Sequence, residues 1–543
     1  VTMPELLADA VAGPGGREHW LCEGAPGIER AALMQGRSAE AVGALGAVAS
    51  GSPHATRVGM GILRQGGTAA DAAVAAALAT MVADPPNASP AGRGHILWAP
   101  AGETPRAIDG ATRAPAHLSE GVRRLPDRQA LPLPGIVRAL LRLHAEGGSL
   151  PLARVVAPAR DLARDGFTVP RELAAVWAWR APDLVDPDAR AHYLPDGRPV
   201  PEGAVFRNLG LAGFLDRLIS TGQDPFADPV FAGPFCERLA AKGGFWTVGD
   251  LRAAVPLVGE TVELREKGWR LTSIGRQGWG HTLLRIVALV NSAVPGPILD
   301  IEIAHLLAIL RAFEERPEEL RSLKPKSDPL PWDALSARLA EGLPEGWADS
   351  AVLAAALDRA RTPAPSDDRD TTHLSVVDAD GMRVALTQSI GPHFGARVAD
   401  PVTGILLAHS YRMAEDPVPG ARDVTEQCPC LLDIGGACYA LGGAGSERIP
   451  GAVAGVIRHL LNGSSLANAL AAPRANWVGA TARLHLDVPE GLETRLAEAG
   501  AEVSFTGRGP VDHLGIVQAV GRRADGTVMA AADPAYAGSA DAA

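Results

Sequence analysis

The sequence predicts an α/β fold, with helices supplied mostly by the first two thirds of the chain and strands gathered around one point near residue 371. Three observations predict it. Residues 55–82 carry an Ala-rich helical pattern flanked by Gly66-Gly67 and by Pro85-Pro86, breakers that end the helix. Residues 131–250 and 300–360 continue mainly helical, between loops rich in Pro, Asp and Arg. After 371 the apolar residues fall into short runs, 374–378, 383–387, 404–407 and 431–441, each bounded by Gly, Asp or Pro, which is the pattern of strands. Asp380-Gly381 is a hairpin turn between the first two. A further helix is expected at 450–461, after a Gly-rich turn. Residues 1–45 match no pattern and are assigned to a leader segment, and the polar PAPSDDRD at 363–370 to a linker.

Composition narrows the function. The chain has 543 residues, 47% of them hydrophobic, and a net charge of −11 without a long basic run, which argues against nucleic acid as a partner. Its most apolar stretches, around 69–83 and 283–310, are broken by Asp, Asn, Pro or Glu before they reach the ~18–20 residues a membrane span needs. Both are expected to be buried helices. Glu5, Asp9 and a Gly/Pro stretch occupy the place of a secretory signal, so a cytoplasmic location is expected. The cysteines, Cys22, Cys236, Cys428, Cys430 and Cys438, are odd in number and scattered, which suits packing thiols better than a disulfide framework. Cys428-Pro-Cys430 lacks zinc-ligand spacing, and neither a metal nor another cofactor is expected.

The most informative stretch is DDRDTTHLSVVD at 367–378, a charged loop set directly against a Thr-Thr that opens an apolar run. It reads as a self-cleavage point. If the bond between Asp370 and Thr371 is cut, Thr371 holds a hydroxyl nucleophile and, in its new α-amine with a pKa of roughly 7.7–8.0, the base that activates it. Taken alone, the same text also fits a loop running into a strand.

The surrounding text decides between them. Residues 371–407, TTHLSVVDADGMRVALTQSIGPHFGARVADPVTGILL, resemble the start of the small subunit of the γ-glutamyltranspeptidase family of N-terminal-nucleophile hydrolases. Other stretches resembling that family follow in its order, among them SPHATRVGMGILRQGGTAADAAVAAAL at 52–78, GGFWTVGDL at 243–251, GSERIPGAVAGVI at 445–457 and AADPAYAG at 531–538. The resemblance implies an αββα sandwich built from one precursor. Its large subunit would be 46–370, mainly helical with some sheet strands, and its small subunit 371–543. It also implies roles. Ser389 would support the nucleophile from the return strand, Gly445 and Ser446 would supply the oxyanion hole in place of a Gly-Gly pair, and His373 would be structural.

Substrate recognition is where the chain departs from the family it resembles. The arginine of the family's Asp-x-Arg-Glu-x-Ala-Pro pattern, which clamps the substrate α-carboxylate, falls on Ala111, with Arg113 two residues on. The acid that holds the substrate α-amine falls on Met413, the Ser-Ser pair on Thr425-Glu426, and a downstream Asn on Gly391. New polar groups stand nearby, His95 among them, and Arg93, Arg113, His393, His409, Ser410, Arg412 and Glu426 are the candidate substrate-binding residues. A γ-glutamyl pocket must pair both a carboxylate and an ammonium, so a different small molecule is expected, its carboxylate held by Arg93 or Arg113. Three readings stand: an amide hydrolase or acyltransferase; a C–C hydrolase that removes an oxalyl fragment, as the resemblance to divergent members tied to actinobacterial 4-alkyl-proline (antibiotic) pathways implies; and an inactive homologue that binds. Retention of Thr371, Ser389 and the Gly turn argues against the last.

Overall fold

The structure is a computed structural model that describes residues 12–13, 17–18, 40–118, 124–294, 296–316, 337–359, 369–415, 417–479, 481–507, 514–533 and 535–543. Cys22, most of the expected leader and residues 363–368 of the linker lie outside the described residues.

The elements that place the site are, in chain order, β1 (Ala41–Gly43), β2 (Gly46–Ser50), α1 (Pro53–Arg64), α2 (Ala69–Ala83), β3 (Arg93–Ala99), β4 (Arg106–Gly110), β5 (Leu257–Gly259), β6 (Thr261–Glu266), β7 (Trp269–Ile274), α3 (Gly280–Asn291), α4 (Ile298–Glu314), β8 (Arg369–Asp378), β9 (Arg383–Pro392), α5 (Tyr411–Glu415), β10 (Cys430–Ile434), β11 (Ala437–Ala444), α6 (Ile449–Leu461), β12 (Ile516–Arg522), β13 (Val528–Ala532) and β14 (Ser539–Ala542). Two seven-stranded sheets form from them. The first runs β14-β2-β8-β9-β3-β4-β5 and the second β6-β7-β10-β11-β12-β13-β1. Neighbours are antiparallel throughout both.

Side-chain alternation sorts each strand between an inner and an outer core. On β8, Leu374 and Val376 join the outer core with α1 and α2, whereas Val377 joins Ala47, Ala49, Ala385, Ala440, Ala530 and Val520 between the sheets. That inner layer is mostly alanine, so the two sheets approach closely. The second sheet packs its other face on α3 and α6 through residues such as Leu284 and Val453, and α4 packs in turn on those helices through residues such as Leu307. Helices outside and two sheets inside make an αββα sandwich, the expected architecture. Cys428 and Cys430 sit fully buried in the outer core of the second sheet, and burial pushes both thiols up.

Several local expectations need correction. The helical pattern at 55–82 is two helices, because Gly66 takes a left-handed φ of 83° and Thr68 restarts the helix as an N-cap with a reciprocal Asp71 capping box. Every residue of α2 is buried, as an Ala-rich helix can be on all faces. The run 431–441 is two strands, parted at Gly435-Gly436, whose φ values are 53° and 89°. Residues 404–407 form no strand; they make the isolated bridges Ala399↔Leu406 and Ala91↔Leu407, outside both sheets, next to a left-handed Gly404. Residues 41–43, given to the leader by composition, are edge strand β1 and pair with β13.

One close approach between the sheets yields a stability prediction. A Cβ on Gly442 of β11 would lie 2.4 Å from His373 Cε1 on β8. The ring cannot retreat, since its nitrogens bond Thr387 Oγ1 at 2.8 Å and Ser375 Oγ at 2.9 Å. Gly442→Ala is therefore expected to cost about 1–3 kcal/mol by overpacking, measured by urea unfolding; an unchanged midpoint would show that the sheets have room there.

Candidate active site

Three adjacent strands bring the central residues into one row. On β8–β9 the ladder pairs Thr372 with Gln388 but Asp370 with Gly391, a slip of one residue that leaves Ser389 and Ile390 together opposite Thr371. Ser389 in turn pairs with Arg93 on β3. Thr371, Ser389 and Arg93 thus follow one another across the sheet, and all three line one cavity of about 190 Å³. Ser389 Oγ accepts a hydrogen bond from Gly391 N at 3.0 Å, closing the end of the strand on itself. Asp370 and Thr371 both lie in β8.

The turn after β11 supplies the opposite wall. Gly445 has a φ of 122° and Ser446 a φ of 56°, so a non-glycine residue occupies the left-handed region at a cost on the order of 1–3 kcal/mol. Ser446 lines the cavity, and its buried Oγ has no hydrogen-bond partner among the described residues. Gly445 stands behind it, its carbonyl bonded by Arg448 Nε at 2.9 Å.

Arg93 is the cavity's buried cation. Its Nη1 reaches His409 O at 3.3 Å, Thr112 Oγ1 at 3.5 Å and Asp423 Oδ2 at 3.5 Å, while its Nε has no partner among the described residues. Asp423 is held more tightly by hydroxyls, accepting from Ser410 Oγ at 2.8 Å and Thr112 Oγ1 at 2.7 Å. The long ion pair therefore leaves much of the guanidinium's hydrogen-bonding capacity for a ligand.

Behind this wall, Asp109 Oδ1 lies 3.3 Å from Nε2 of the fully buried His95, and its Oδ2 accepts from Arg422 Nε at 3.0 Å. Burial alone would push the Asp109 carboxyl up. The His95 hydrogen bond and the Arg422 charge outweigh it and hold Asp109 well below the usual carboxylate range. His95 Nδ1 meets Gln427 Oε1 at 2.7 Å, and Gln427 lines the cavity. His373 is pushed down to about 3 by burial, so its ring is neutral at pH 7.

Of the residues singled out in the sequence, Thr371, Ser389, Ser446, Arg93, Ser410, Arg412 and Glu426 line this cavity. Arg113, His393 and His409 do not. Thr112 turns its hydroxyl to Asp423, so alternation carries Ala111 and Arg113 to the other side, where Arg113 is half-buried and its backbone bridges Leu133 and Arg422. His393 packs edge-on against Trp179, and His409 packs edge-on against Tyr411 while offering its carbonyl to Arg93. The two positions that lost their charge are given over to packing. Ala111 is buried with its N–H on Asp109, and Met413 sits in an apolar cluster with Leu118, Leu125 and Ala130. Sequence reasoning missed Asp423 and Gln427. Their signal was position alone, two residues either side of Thr425 in a segment already set against the pocket.

Two antiparallel sheets between helices make the αββα sandwich of the N-terminal-nucleophile hydrolase type. The sequence profile of the γ-glutamyltranspeptidase family matches residues 55–543, and the chain belongs to that family. It is 30% identical over 539 residues to the acylase ACY 1 proenzyme of Pseudomonas sp. (strain SE83), covering 91% of this chain and 92% of that one. It is 29% identical over 527 residues to the oxamate amidohydrolase proenzyme of Klebsiella pneumoniae, covering 90% and 97%. The crystal structure of cephalosporin acylase from Bacillus halodurans superposes with a TM-score of 0.75 at 23% identity, covering 93% and 97%. No helix among the described residues is long and apolar enough to cross a membrane.

Proposed function

We propose that the chain is a cytoplasmic, self-cleaving hydrolase or acyltransferase in which Thr371 attacks a carbonyl of a small molecule that bears a carboxylate but no γ-glutamyl head. The observation that carries this is the cavity itself: Thr371, Ser389, Ser446 and Arg93 line it together, while Ala111 and Met413 serve packing. After the cut between Asp370 and Thr371, the α-amine of Thr371 takes the proton from its own Oγ, and Ser389 supports it across the ladder slip. The backbone N–H groups at Gly445 and Ser446 are the candidate donors to the oxyanion, a contact worth about 2.7–4 kcal/mol where it has been removed in other enzymes. Arg93 takes the carboxylate, its fork suited to two-point binding. An amide is the first reading of the bond cut. The relative named as an oxamate amidohydrolase favours it, since oxamate sets a carboxylate directly beside its amide carbonyl; hydrolysis of a C–C bond to release an oxalyl fragment is the alternative.

The test is a substrate panel on fully processed protein. With no acid at 413 and no arginine at 111, a γ-glutamyl anilide is expected to turn over weakly or not at all, because the two groups that would fix its ammonium and carboxylate in register are absent from those positions. Restoring Arg alone, by Ala111→Arg, leaves position 413 without its acid and is expected to help little. Efficient hydrolysis of the γ-glutamyl anilide by the wild type would refute the reading.

A further inference from the structure

We propose that Gln518 and Asn87 hold the water molecule that completes self-cleavage at Thr371. The inference rests on the reading of Thr371 as nucleophile and extends it to residues that no family position suggested in the sequence.

Thr371 borders two cavities. Besides the large one, it lines a small one of about 10 Å³, shared with Asn87, His373, Gln518 and Tyr536, with room for a single water. Gln518 reaches it from the opposite sheet. On β12, Val517 and Ala519 pack on the helices and Val520 lies between the sheets, so alternation sends the Gln518 side chain inward as well. The residue is 1% exposed, and neither its Oε1 nor its Nε2 has a hydrogen-bond partner among the described residues. Asn87 is as deeply buried. Its Nδ2 is spent on the Asp84 carboxylate at 3.1 and 3.2 Å and on Tyr536 Oη at 2.9 Å, which leaves its Oδ1 without a partner among the described residues. Buried amides are seldom left unmet at both ends. Here the unmet atoms include a donor and acceptors around a space of one water's size, the polar surroundings that an ordered water requires.

The chemistry needs such a water. Attack of Thr371 Oγ on the Asp370 carbonyl carbon breaks the C–N bond, moves the hydroxyl proton to nitrogen and leaves the two parts joined by an ester. Water then adds to the ester carbonyl and the C–O bond to Thr371 breaks. The Asp370 carboxylate and the Thr371 hydroxyl are released, and the new α-amine takes the surplus proton. Gln518 and Asn87 act here as positioning residues: they fix the water beside Thr371, on a side away from the large cavity's Arg93 and Asp423.

The experiment follows freshly made full-length precursor by intact mass, with and without hydroxylamine, which cleaves esters. Gln518→Met keeps the side-chain length and removes both polar atoms. It is expected to slow cleavage at least tenfold, and hydroxylamine is expected to restore the rate, leaving a hydroxamate at the C-terminus of fragment 1–370. Cleavage of Gln518→Met at the wild-type rate overturns the proposal. So does slow cleavage that hydroxylamine does not accelerate, because the defect would then precede the ester. If Gln518→Met does not fold, as judged by circular dichroism, Asn87→Ala is taken through the same measurement, and either of those two results overturns the proposal there as well. A wild-type precursor that stays whole with and without hydroxylamine instead brings down the reading of Thr371 itself.

Discussion

Purified protein is expected to separate under denaturing conditions into two chains, residues 1–370 and 371–543, while Thr371→Ala remains a single chain. The proposed mechanism requires this, because the peptide nitrogen of Thr371 becomes a base only when the bond to Asp370 is cut. The site favours the reaction. The β8–β9 ladder slips at this residue, so Thr371 stands opposite two residues of its partner strand where a regular ladder would give it one. Its side chain is buried at the edge of the cavity, beside Ser389 and across from the strained turn at Ser446. Thr371→Ser keeps the hydroxyl and is expected to cleave, whereas Ser389→Ala keeps Thr371 and is expected to slow cleavage. N-terminal sequencing of the smaller fragment must begin at Thr371. Full activity from wild-type protein that is still one chain would sink the mechanism.

Much of the fold was legible because its signals are local. The apolar run after Thr371, the Asp380-Gly381 turn and the return strand appear in the structure as β8 and β9, whose hairpin is held by Asp378 Oδ1 accepting from Gly381 N at 3.0 Å and Met382 N at 2.9 Å. Where the reading went wrong, a glycine had more than one meaning. Gly435-Gly436 parts two strands and Gly66 parts two helices, although each lies inside one hydrophobic pattern. The short run at 404–407 failed because three apolar residues after a glycine cannot say whether a ladder partner exists. The candidate site was legible where it follows the strands and opaque where it depends on loops meeting. Ala111 and Met413 could be flagged as lost charges from sequence. That Thr112 faces Asp423, and so turns Arg113 away, depends on a contact across 311 residues. The same holds for Gln518, whose neighbours Asn87 and Thr371 come from other parts of the chain.

Replacement of Arg93 is expected to separate binding from processing. Arg93→Lys keeps a positive charge but loses the planar fork, and on a substrate identified from the panel kcat/KM should fall about tenfold or more, roughly 1.4 kcal/mol of transition-state stabilisation. Arg93→Ala goes further, since it leaves Asp423 buried with no cation beside it. Removing one partner of a buried pair typically costs about 3–5 kcal/mol, but the pair here spans 3.5 Å and Ser410 and Thr112 still donate to the carboxylate, which places the expected loss of stability at the low end. Arg113→Lys makes the internal comparison: its side chain lies off the cavity, so kinetics should be unchanged. Self-cleavage should proceed in all three variants, because it precedes substrate binding and Arg93 stands on the wall away from Gln518. An Arg93→Lys variant that processes normally and keeps wild-type kinetics would move the carboxylate clamp elsewhere, and Arg412, the other arginine lining the cavity, would be the next to replace.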